Sequence, residues 1–389
     1  MTGLSFETTR RVYCEPGASA KLGTLMTELG AGRVLLVTDP GVMKLGLPQA
    51  ALDSLQAAGI ATAIYDRTEA DPPEKLVHAA VAAAKEHRAD GIVGFGGGSS
   101  MDIAKLVALM GGDGGQPLAE MYGIGNAKGR RLPLVQVPTT AGTGSEVTGI
   151  SIITTGESEK KGVVSPLLLP DIALLDADLT LGLPRGVTAA TGVDAMVHAI
   201  EAYTTKHKKN PISDALAREA LRLLSRNIRT VCSEAGAKDR AARSDMLLGA
   251  MLAGMAFANA PVAAVHALAY PVGGHFHVPH GLSNALMLPH VLRFNLESAA
   301  AAAQYAELAG ILLPGKSFAS ASAGAGALLA ELEAIIDDVK LEKQLRQVGI
   351  SHNHLPMLAK DAMNQQRLLV NNPREVAYDD ALRIYEQAL

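Results

Sequence analysis

The feature that most constrains the fold of this chain is an alternation of short apolar runs with helix-like stretches. Four runs are short, apolar and closed by turn residues, which is typical of buried strands: 33–38, 61–65, 91–95 and 134–137. Stretches with helical periodicity separate them, notably 74–87 and 99–110. Strands that alternate with helices predict a parallel sheet covered by helices on both faces. We therefore expect an α/β fold for this part of the chain.

From about Arg185 the pattern changes, because strand signals fade and long Ala- and Leu-rich segments follow. The predicted helices are 186–204, 212–231, 239–258, 281–295, 298–312 and 325–346. The stretch 317–326 is rich in Ala, Ser and Gly and predicts a loop or linker. A chain of 389 residues exceeds the size at which one hydrophobic core keeps growing. We therefore predict two domains, an α/β domain over 1–185 and an all-α domain over 186–389.

Composition excludes several classes of protein. Hydrophobic residues make up 48% of the chain, enough for packed cores. Aromatic residues are sparse and the 35 basic and 39 acidic residues are well mixed, so we expect no binding of nucleic acid or of a membrane surface. No uncharged apolar run reaches membrane-spanning length, and residues 1–11 lack the apolar core of a signal peptide. Two isolated cysteines give no disulfide framework, so we expect a cytoplasmic protein.

Four residues in the predicted helical domain have the chemistry of metal ligands. Asp194 and His198 are four residues apart on a predicted helix, so both side chains project from one face, one turn apart. His266 follows an apolar run, and His280 lies in a Val-Pro-His-Gly sequence. One carboxylate and three imidazoles suit a divalent transition metal. The alternative for each histidine alone is a hydrogen-bonded position in a core.

Two loops at predicted strand ends have the character of nucleotide-binding loops. Residues 96–99 (Gly-Gly-Gly-Ser) open a predicted helix, where glycine lets the backbone approach a pyrophosphate and the helix N-terminus offers free N–H groups. A tight structural turn is the alternative, because the strict Gly-x-Gly-x-x-Gly spacing is absent. The second loop, 138–148, is dense in hydroxyls and glycine. Asp39 ends the first strand, where it is suited either to bind a ribose 2′-hydroxyl or to cap the next helix.

Taken together, these motifs resemble the iron-containing (group III) alcohol dehydrogenases over nearly the whole chain. The glycine run with Asp102 is similar to the nucleotide loop of the family, and 138–146 is similar to its second signature. Residues 192–201 and 266–281 are similar to its metal signatures. The resemblance implies a Rossmann-like dinucleotide-binding domain followed by an all-α metal-binding domain, the dehydroquinate synthase-like fold. It also implies oxidation of small alcohols or reduction of aldehydes, by a homodimer or higher homo-oligomer.

The resemblance also implies individual site residues. The implied metal ligands are Asp194, His198, His266 and His280. The implied cofactor contacts are Asp39, Gly96, Gly97, Gly98, Ser99, Asp102, Thr139, Thr140, Thr143 and Lys160. Many family members have a second histidine four residues after the third ligand, where this chain has Tyr270. We therefore assign catalytic roles to His266, His280 and Tyr270, with His275 and His277 as alternative proton-relay groups.

The expected mechanism uses the metal as a Lewis acid on the substrate oxygen while a hydride moves between the carbinol carbon and a nicotinamide. Four protein ligands saturate tetrahedral Zn²⁺, so Fe²⁺ is expected and Zn²⁺ is the alternative. Asp39 predicts NAD in preference to NADP, because a carboxylate repels a 2′-phosphate.

Other activities of the superfamily stay open as alternatives. They are maleylacetate reductase, glycerol dehydrogenase, hydroxyacid-oxoacid transhydrogenase and a lyase of the dehydroquinate synthase type. The lyase needs clustered Lys and Arg for a polyanionic substrate, and the Ala-rich surroundings of His198 and His266 offer few. An NAD-binding scaffold without activity leaves the four spaced ligands unexplained.

Overall fold

The structure is a computed structural model that describes residues 3–112, 115–156 and 159–389. The chain forms two compact units: Glu7–Gly182 is one, and Leu183–Leu389 with the residues up to Phe6 is the other. Within the described ranges, no single helix has the length and apolar composition of a membrane span. Helices Arg240–Asn259 and Ala264–Phe276 meet those criteria only as a pair, and the pair is bent by 106°.

A parallel sheet organises the unit Glu7–Gly182. Its strands are β1 (Arg11–Cys14), β2 (Arg33–Val37), β3 (Ala61–Tyr65), β4 (Gly91–Gly96), β5 (Gly123–Ile124), β6 (Leu134–Pro138), β7 (Ile150–Thr155), β8 (Glu159–Val164) and β9 (Ile172–Leu175). The larger sheet has the order β1-β9-β6-β4-β2-β3, with parallel neighbours throughout. Because β3 and β4 lie on opposite sides of β2, the strand order reverses between β2 and β4. Open α/β sheets bind ligands outside the carboxyl ends of the strands at such a point.

Alternate side chains of the strands enter hydrophobic clusters on opposite faces of this sheet. Leu35 and Val37 of β2 belong to one cluster, whereas Leu36 of the same strand belongs to the other. The helices of the unit are α1 (Leu22–Glu28), α2 (Pro40–Lys44), α3 (Gln49–Ala57), α4 (Glu74–His87), α5 (Gly98–Gly111) and α6 (Leu118–Met121). Residues of α4 and α5 join the first cluster, and residues of α1 and α3 join the second. Burial of both faces explains why these strands are continuous apolar runs.

The predicted fold class is confirmed, and the four predicted strands are β2, β3, β4 and β6. The sequence pattern missed β1, β9 and a second sheet of order β5-β8-β7. In that sheet β7 and β8 pair antiparallel, and β5 pairs parallel with β8. Both β7 and β8 alternate between more and less buried residues, and β8 begins with Glu and two Lys. Such strands lack the continuous apolar run by which the buried strands are recognised.

The second unit is helical over its described elements. Its helices are α7 (Arg185–Thr204), α8 (Pro211–Val231), α9 (Arg240–Asn259), α10 (Ala264–Phe276), α11 (His280–Asn295), α12 (Ala299–Leu312), α13 (Ala321–Asp338), α14 (Leu355–Ala362), α15 (Gln366–Leu369) and α16 (Tyr378–Ala388). The six predicted helices correspond to α7, α8, α9, α11, α12 and α13. The pattern missed α10, whose interior contains Pro271, a residue that ordinarily ends a helix.

The predicted loop at 317–326 is wrong over most of its length, because α13 begins at Ala321. The hydroxyl of Ser320 accepts a hydrogen bond from the N–H of Ala323 at 3.1 Å and caps this helix. A Cβ built on Gly324 would lie 2.8 Å from the Cβ of Ala306 in α12. The small residues therefore permit close packing of two helices, and do not form a turn. The same helix ends at Asp338, earlier than the predicted residue 346.

Candidate functional site

The helical unit contains a compact cluster of one carboxylate and three imidazoles. Helix α7 carries Asp194 and His198 one turn apart, α10 carries His266 and α11 carries His280. One nitrogen or oxygen atom from each of the four side chains lies within 4.8 Å of the others. From Oδ1 of Asp194, the Nε2 atoms of His198 and His266 are both 4.0 Å away, and that of His280 is 3.6 Å away. The structure thus brings together the four residues that the sequence selects.

The cluster is mostly buried and contains one carboxylate. Asp194, His198 and His266 are buried, whereas the side chain of His280 is 41% exposed. Burial alone would raise the pKa of Asp194, but the three imidazoles and a hydrogen bond from Asn284 hold that pKa below its ordinary value. The carboxylate is therefore ionised at neutral pH, as an anionic ligand must be. His280 lies on the solvent side of the cluster.

Gly281 allows α11 to approach α7 closely. A Cβ built on Gly281 would clash with the carbonyl oxygen of Ala190 and would lie 3.3 Å from the Cβ of Asp194. Any side chain at this position would therefore push the first turn of α11 away from α7. Since His280 precedes Gly281 in the chain, the missing Cβ is what permits the short separation of His280 from Asp194.

Glu201 is a functional candidate that the sequence reasoning missed. It lies seven residues after Asp194 and three after His198 on α7, and therefore on the same face of the helix. Its carboxylate is buried, accepts a hydrogen bond from the backbone N–H of Val265 at 2.7 Å and lies 2.6 Å from Nδ1 of His266. The helical spacing from the two ligands is the sequence signal that could have identified it.

Asn284 is a second residue that the sequence reasoning missed. It lies one turn after His280 on α11 and is fully buried. Its Nδ2 atom donates to Oδ1 of Asp194 at 2.6 Å and lies 3.2 Å from Nε2 of both His266 and His280. The amide is therefore among the ligand atoms themselves. The aromatic ring of Phe257 stacks on His198, with 4.4 Å between ring centroids.

Tyr270 adjoins the cluster on α10, one turn after His266. Its ring centroid lies 6.4 Å from that of His266, in an edge-on arrangement, and 5.9 Å from that of His280. The alternative proton-relay histidines are placed differently. His275 is paired with Asp361, at 2.5 Å between Nε2 and Oδ2, and His277 is the residue that ends α10.

In the α/β unit, most of the candidate cofactor residues gather at the carboxyl ends of β2, β4 and β6. Strand β4 ends at Gly96 and α5 begins at Gly98, with no side-chain cap on the N-terminus of that helix. A Cβ built on Gly96 would lie 2.9 Å from Oγ of Ser100 and 3.4 Å from Oδ2 of Asp39, so Asp39 lies against the glycine turn. The turn is therefore too tight for a side chain at Gly96. It leaves the first N–H groups of α5 available to an anion.

The second loop lies against the same turn. The N–H of Thr139 donates to the carbonyl oxygen of Gly96 at 2.9 Å. A Cβ built on Gly98 would lie 2.9 Å from Cγ2 of Thr143, and one built on Gly97 would lie 4.0 Å from Oγ1 of Thr140. The structure therefore brings Thr139, Thr140 and Thr143 to the glycine turn, as expected for a shared binding surface.

Two other predicted cofactor contacts have side chains that are already engaged within the protein. Asp39 accepts a hydrogen bond from the N–H of Val42 at 3.0 Å and so caps α2, which is the alternative role that the sequence leaves open. Its other oxygen, Oδ2, faces the glycine turn. Lys160 lies on β8, where its ammonium pairs with Asp71 and donates to Oγ1 of Thr154 at 3.2 Å.

Asp102 belongs to a buried network centred on Lys105, which the sequence reasoning missed. The ammonium of Lys105 donates to Oγ of Ser145 at 2.7 Å and to Oγ1 of Thr148 at 3.1 Å, and Ser145 donates to Asp102 at 2.6 Å. Burial lowers the pKa of Lys105 and raises the pKa of the adjacent Glu146 to about 7. This network ties α5 to the second loop and engages the carboxylate of Asp102 within the protein.

Comparison with known proteins gives a consistent result. The family model described as iron-containing alcohol dehydrogenase matches residues 9–177, and that described as Fe-containing alcohol dehydrogenase family, C-terminal, matches residues 188–389. Long-chain-alcohol dehydrogenase 1 of Geobacillus thermodenitrificans is 40% identical over 374 residues, which cover 96% of this chain and 93% of that protein. A crystal structure of 1,3-propanediol oxidoreductase has a TM-score of 0.94 at 34% identity and covers all of both chains. Sulfoacetaldehyde reductase from Bifidobacterium kashiwanohense, crystallised with NAD⁺, has a TM-score of 0.87 at 25% identity over 100% and 99% of the two chains.

Proposed function

The chain belongs to the iron-containing alcohol dehydrogenase family and is an alcohol dehydrogenase or aldehyde reductase, and we propose that it works with a divalent metal and NAD. The proposed metal ligands are Asp194, His198, His266 and His280. The observation that carries this proposal is the convergence of four ligand atoms, from three helices, within 4.8 Å. In this assignment residues 1–185 bind the dinucleotide and residues 186–389 bind the metal.

The donor set fits a transition metal of the Fe²⁺ or Zn²⁺ type. The four candidate ligand atoms lie within 4.8 Å of one another, and the three Nε2 atoms lie 3.6 to 4.0 Å from Oδ1 of Asp194, so a single ion would be within reach of all four side chains. Three imidazole nitrogens and one carboxylate are accepted by both metals. We propose Fe²⁺ first, because a metal that takes five or six ligands keeps a position for substrate, and Zn²⁺ as the alternative.

When bound, the metal supplies a Lewis acid for the substrate oxygen. Of its proposed protein ligands, Asp194 alone brings a negative charge, which favours a cation in a buried site. Phe257 stacks on His198, and His198 and His266 are both buried, so the inner side of the cluster has little contact with solvent. Tyr270, whose ring lies beside that of His280, is proposed to exchange a proton with the substrate oxygen through its phenol. These roles make Tyr270, His266 and His280 the proposed catalytic residues.

For the dinucleotide, we propose that the N–H groups at the start of α5 bind the pyrophosphate and that Thr139, Thr140 and Thr143 complete the surface. Asp39 is proposed to bind the ribose hydroxyls through the oxygen that faces Gly96, which favours NAD over NADP. Bound nicotinamide supplies or accepts the hydride. Lys160 is retained as a weaker candidate, because its ammonium already has two protein partners.

The decisive experiment combines metal analysis with a panel of alcohols and aldehydes. We expect about one divalent ion per chain, loss of turnover on chelation, recovery on addition of Fe²⁺ or Zn²⁺, and faster turnover with NAD(H) than with NADP(H). Full turnover in a rigorously metal-free preparation would overturn the metal proposal. The relatives reported above act as dehydrogenases and reductases, and this favours hydride transfer over the lyase alternative.

We also propose a cytoplasmic homodimer or higher homo-oligomer acting on small alcohols or aldehydes. The family resemblance supports the assembly, and the absence of a disulfide between the two cysteines, Cys14 and Cys232, suits a reducing compartment. Light scattering coupled to size-exclusion chromatography measures the assembly directly, and a monomer at all concentrations would contradict it.

A further inference from the structure

We propose that Glu201 is a positioning residue of the metal centre, which holds His266 in the one tautomer whose Nε2 atom can bind a metal. This inference rests on the proposed function, because it presupposes that the four-residue cluster binds a metal. It concerns a residue outside the ligand set, and it assigns to that residue a role that can be measured separately from turnover.

The contact between Glu201 and His266 joins two buried side chains. Oε2 of Glu201 lies 2.6 Å from Nδ1 of His266, and both residues are at most 3% exposed. On the other side of the same imidazole, Nε2 lies 4.0 Å from Oδ1 of Asp194. The two nitrogens of His266 therefore face two different carboxylates, one of which belongs to the ligand set.

This arrangement fixes the proton on one nitrogen. A neutral imidazole has one N–H donor and one nitrogen lone pair, and a carboxylate can only accept a hydrogen bond. His266 must therefore donate from Nδ1 to Glu201, which leaves the lone pair on Nε2, directed at the cluster. A metal needs that lone pair, and carboxylates that accept the second N–H of a ligating histidine orient the ring and raise its basicity.

A second contact holds the carboxylate itself in place. Oε1 of Glu201 accepts the backbone N–H of Val265 at 2.7 Å. Val265 lies in the first turn of α10, where backbone N–H groups have no acceptor within the helix. Glu201 thus bridges α7 to the start of α10, and the residue after Val265 is the ligand His266. The carboxylate cannot rotate about its long axis without losing one of its two partners.

These two contacts make Glu201→Gln a discriminating substitution. The glutamine amide has nearly the shape of the carboxylate, but it offers one acceptor and one NH₂ donor group. If its oxygen accepts from Val265, its NH₂ faces Nδ1 of His266 and favours the tautomer with the proton on Nε2. If the amide is reversed, two N–H groups face each other at Val265. In both cases the tautomer with a lone pair on Nε2 is no longer stabilised, although the volume of the side chain is retained.

The test measures metal affinity on the metal-free protein by competition with a chromophoric chelator, using Zn²⁺ and Co²⁺ as probes. We expect Glu201→Gln to weaken binding by about 10- to 100-fold, the range seen for partners of ligating histidines. Glu201→Asp keeps the carboxylate but shortens the side chain, so its affinity should lie between those of the unaltered protein and Glu201→Gln. The visible spectrum of bound Co²⁺ should also change in Glu201→Gln, because the ligating ring is no longer fixed.

The matched control is Asp361→Asn, which makes the same chemical change in the carboxylate–histidine pair with His275, outside the cluster. Its metal affinity should equal that of the unaltered protein. Thermal melting of each metal-free variant identifies any that fail to fold. If Glu201→Gln fails to fold, the metal affinity of Glu201→Asp tests the role of Glu201 instead. If the metal affinity and the Co²⁺ spectrum of Glu201→Gln are both unchanged, Glu201 is not a positioning residue of the metal centre. Failure of the unaltered protein to bind either probe would instead overturn the metal centre, so the two failures are distinguishable.

Discussion

At the scale of single residues, Tyr270 is the clearest test of proton transfer. We expect Tyr270→Phe to lower kcat by about 10²-fold, since this is the usual contribution of a positioned acid or base. Metal content should not change, because the phenol ring adjoins the ligands without replacing one. Steady-state kinetics over a range of pH measures kcat, and metal analysis of the same samples measures the metal content. An unchanged kcat at every pH would reduce Tyr270 to a packing residue.

Asp39 should determine the choice of coenzyme. We expect Asp39→Gly to raise kcat/KM with NADP relative to NAD, because the carboxylate no longer repels a 2′-phosphate, and each tenfold change corresponds to about 1.4 kcal/mol. Since Asp39 also caps α2 but glycine is tolerated at a helix N-cap, its replacement by Gly should destabilise the unit by only about 0.3 kcal/mol. Asp39→Asn separates the two effects, because asparagine keeps a capping oxygen without the charge. A preference for NADP in the unaltered protein would refute the assignment.

The four clustered residues were predictable from local spacing and family motifs, whereas the residues that contact them were not. Asp194 and His198 can be identified from the sequence because they are four residues apart on one helix. Glu201 and Asn284 become recognisable only when α10 and α11 are placed beside α7, because their partners lie 65 and 90 positions away in the chain. Sequence periodicity cannot predict such contacts, because it identifies only neighbours within one helix or strand.

At the scale of elements, the connection between α5 and the second loop carries an unusual buried carboxyl group. Burial raises the pKa of Glu146 to about 7 from an ordinary value of 4.5. Below pH 4.5 the folded and unfolded chains both keep this proton. Between pH 4.5 and 7 the unfolded chain releases it first, so the stability that Glu146 contributes falls as pH rises, by about 1.4 kcal/mol per pH unit, and is lost above pH 7.

Glu146→Gln should remove this pH dependence. The variant should differ little from the unaltered protein at pH 5 and should melt at a higher temperature at pH 8, because the amide never ionises. Differential scanning calorimetry of both proteins at the two pH values gives the comparison, in which other titrating groups cancel. The same difference in melting temperature at both pH values would show that Glu146 does not titrate in this window.

Helices and strands were predictable where burial makes their sequences regular. The limits of β3 and α4 agree with the pattern residue for residue. The start of α13 was not predictable, because Gly and Ser are turn residues in most contexts and only the contact of Gly324 with Ala306 shows that they serve packing. Helix α10 was not predictable for a similar reason, because Pro271 ordinarily ends a helix but here lies inside one.

At the scale of the whole molecule, we expect the fold to persist without a metal. The four proposed ligands lie among well-buried apolar residues of α7, α10 and α11, such as Val197, Leu268 and Met287. A chain of this size has hydrophobic cores large enough to fold without a metal clamp, unlike a zinc finger. His266→Ala and His280→Ala should therefore lose metal and turnover, and Asp194→Asn should bind metal more weakly.

The melting transition and NADH binding should survive in these variants, measured by calorimetry and by titration of the fluorescence of the reduced nicotinamide. Loss of the cooperative transition on chelation alone would contradict this expectation. It would make the metal a structural element as well as the proposed centre of catalysis.

The close approach of α11 to α7 at Gly281 also bears on how such a chain can diverge over generations. Substitutions at Phe257 alter the volume beside the cluster without altering the contact at Ala190, so this position is open to drift and to selection for new alcohols. A substitution at Gly281 should move His280 away from Asp194 and so weaken the proposed metal site and the activity that it supports. Lineages that descend from this chain should therefore change substrates through mutations at other positions, while glycine is retained at position 281.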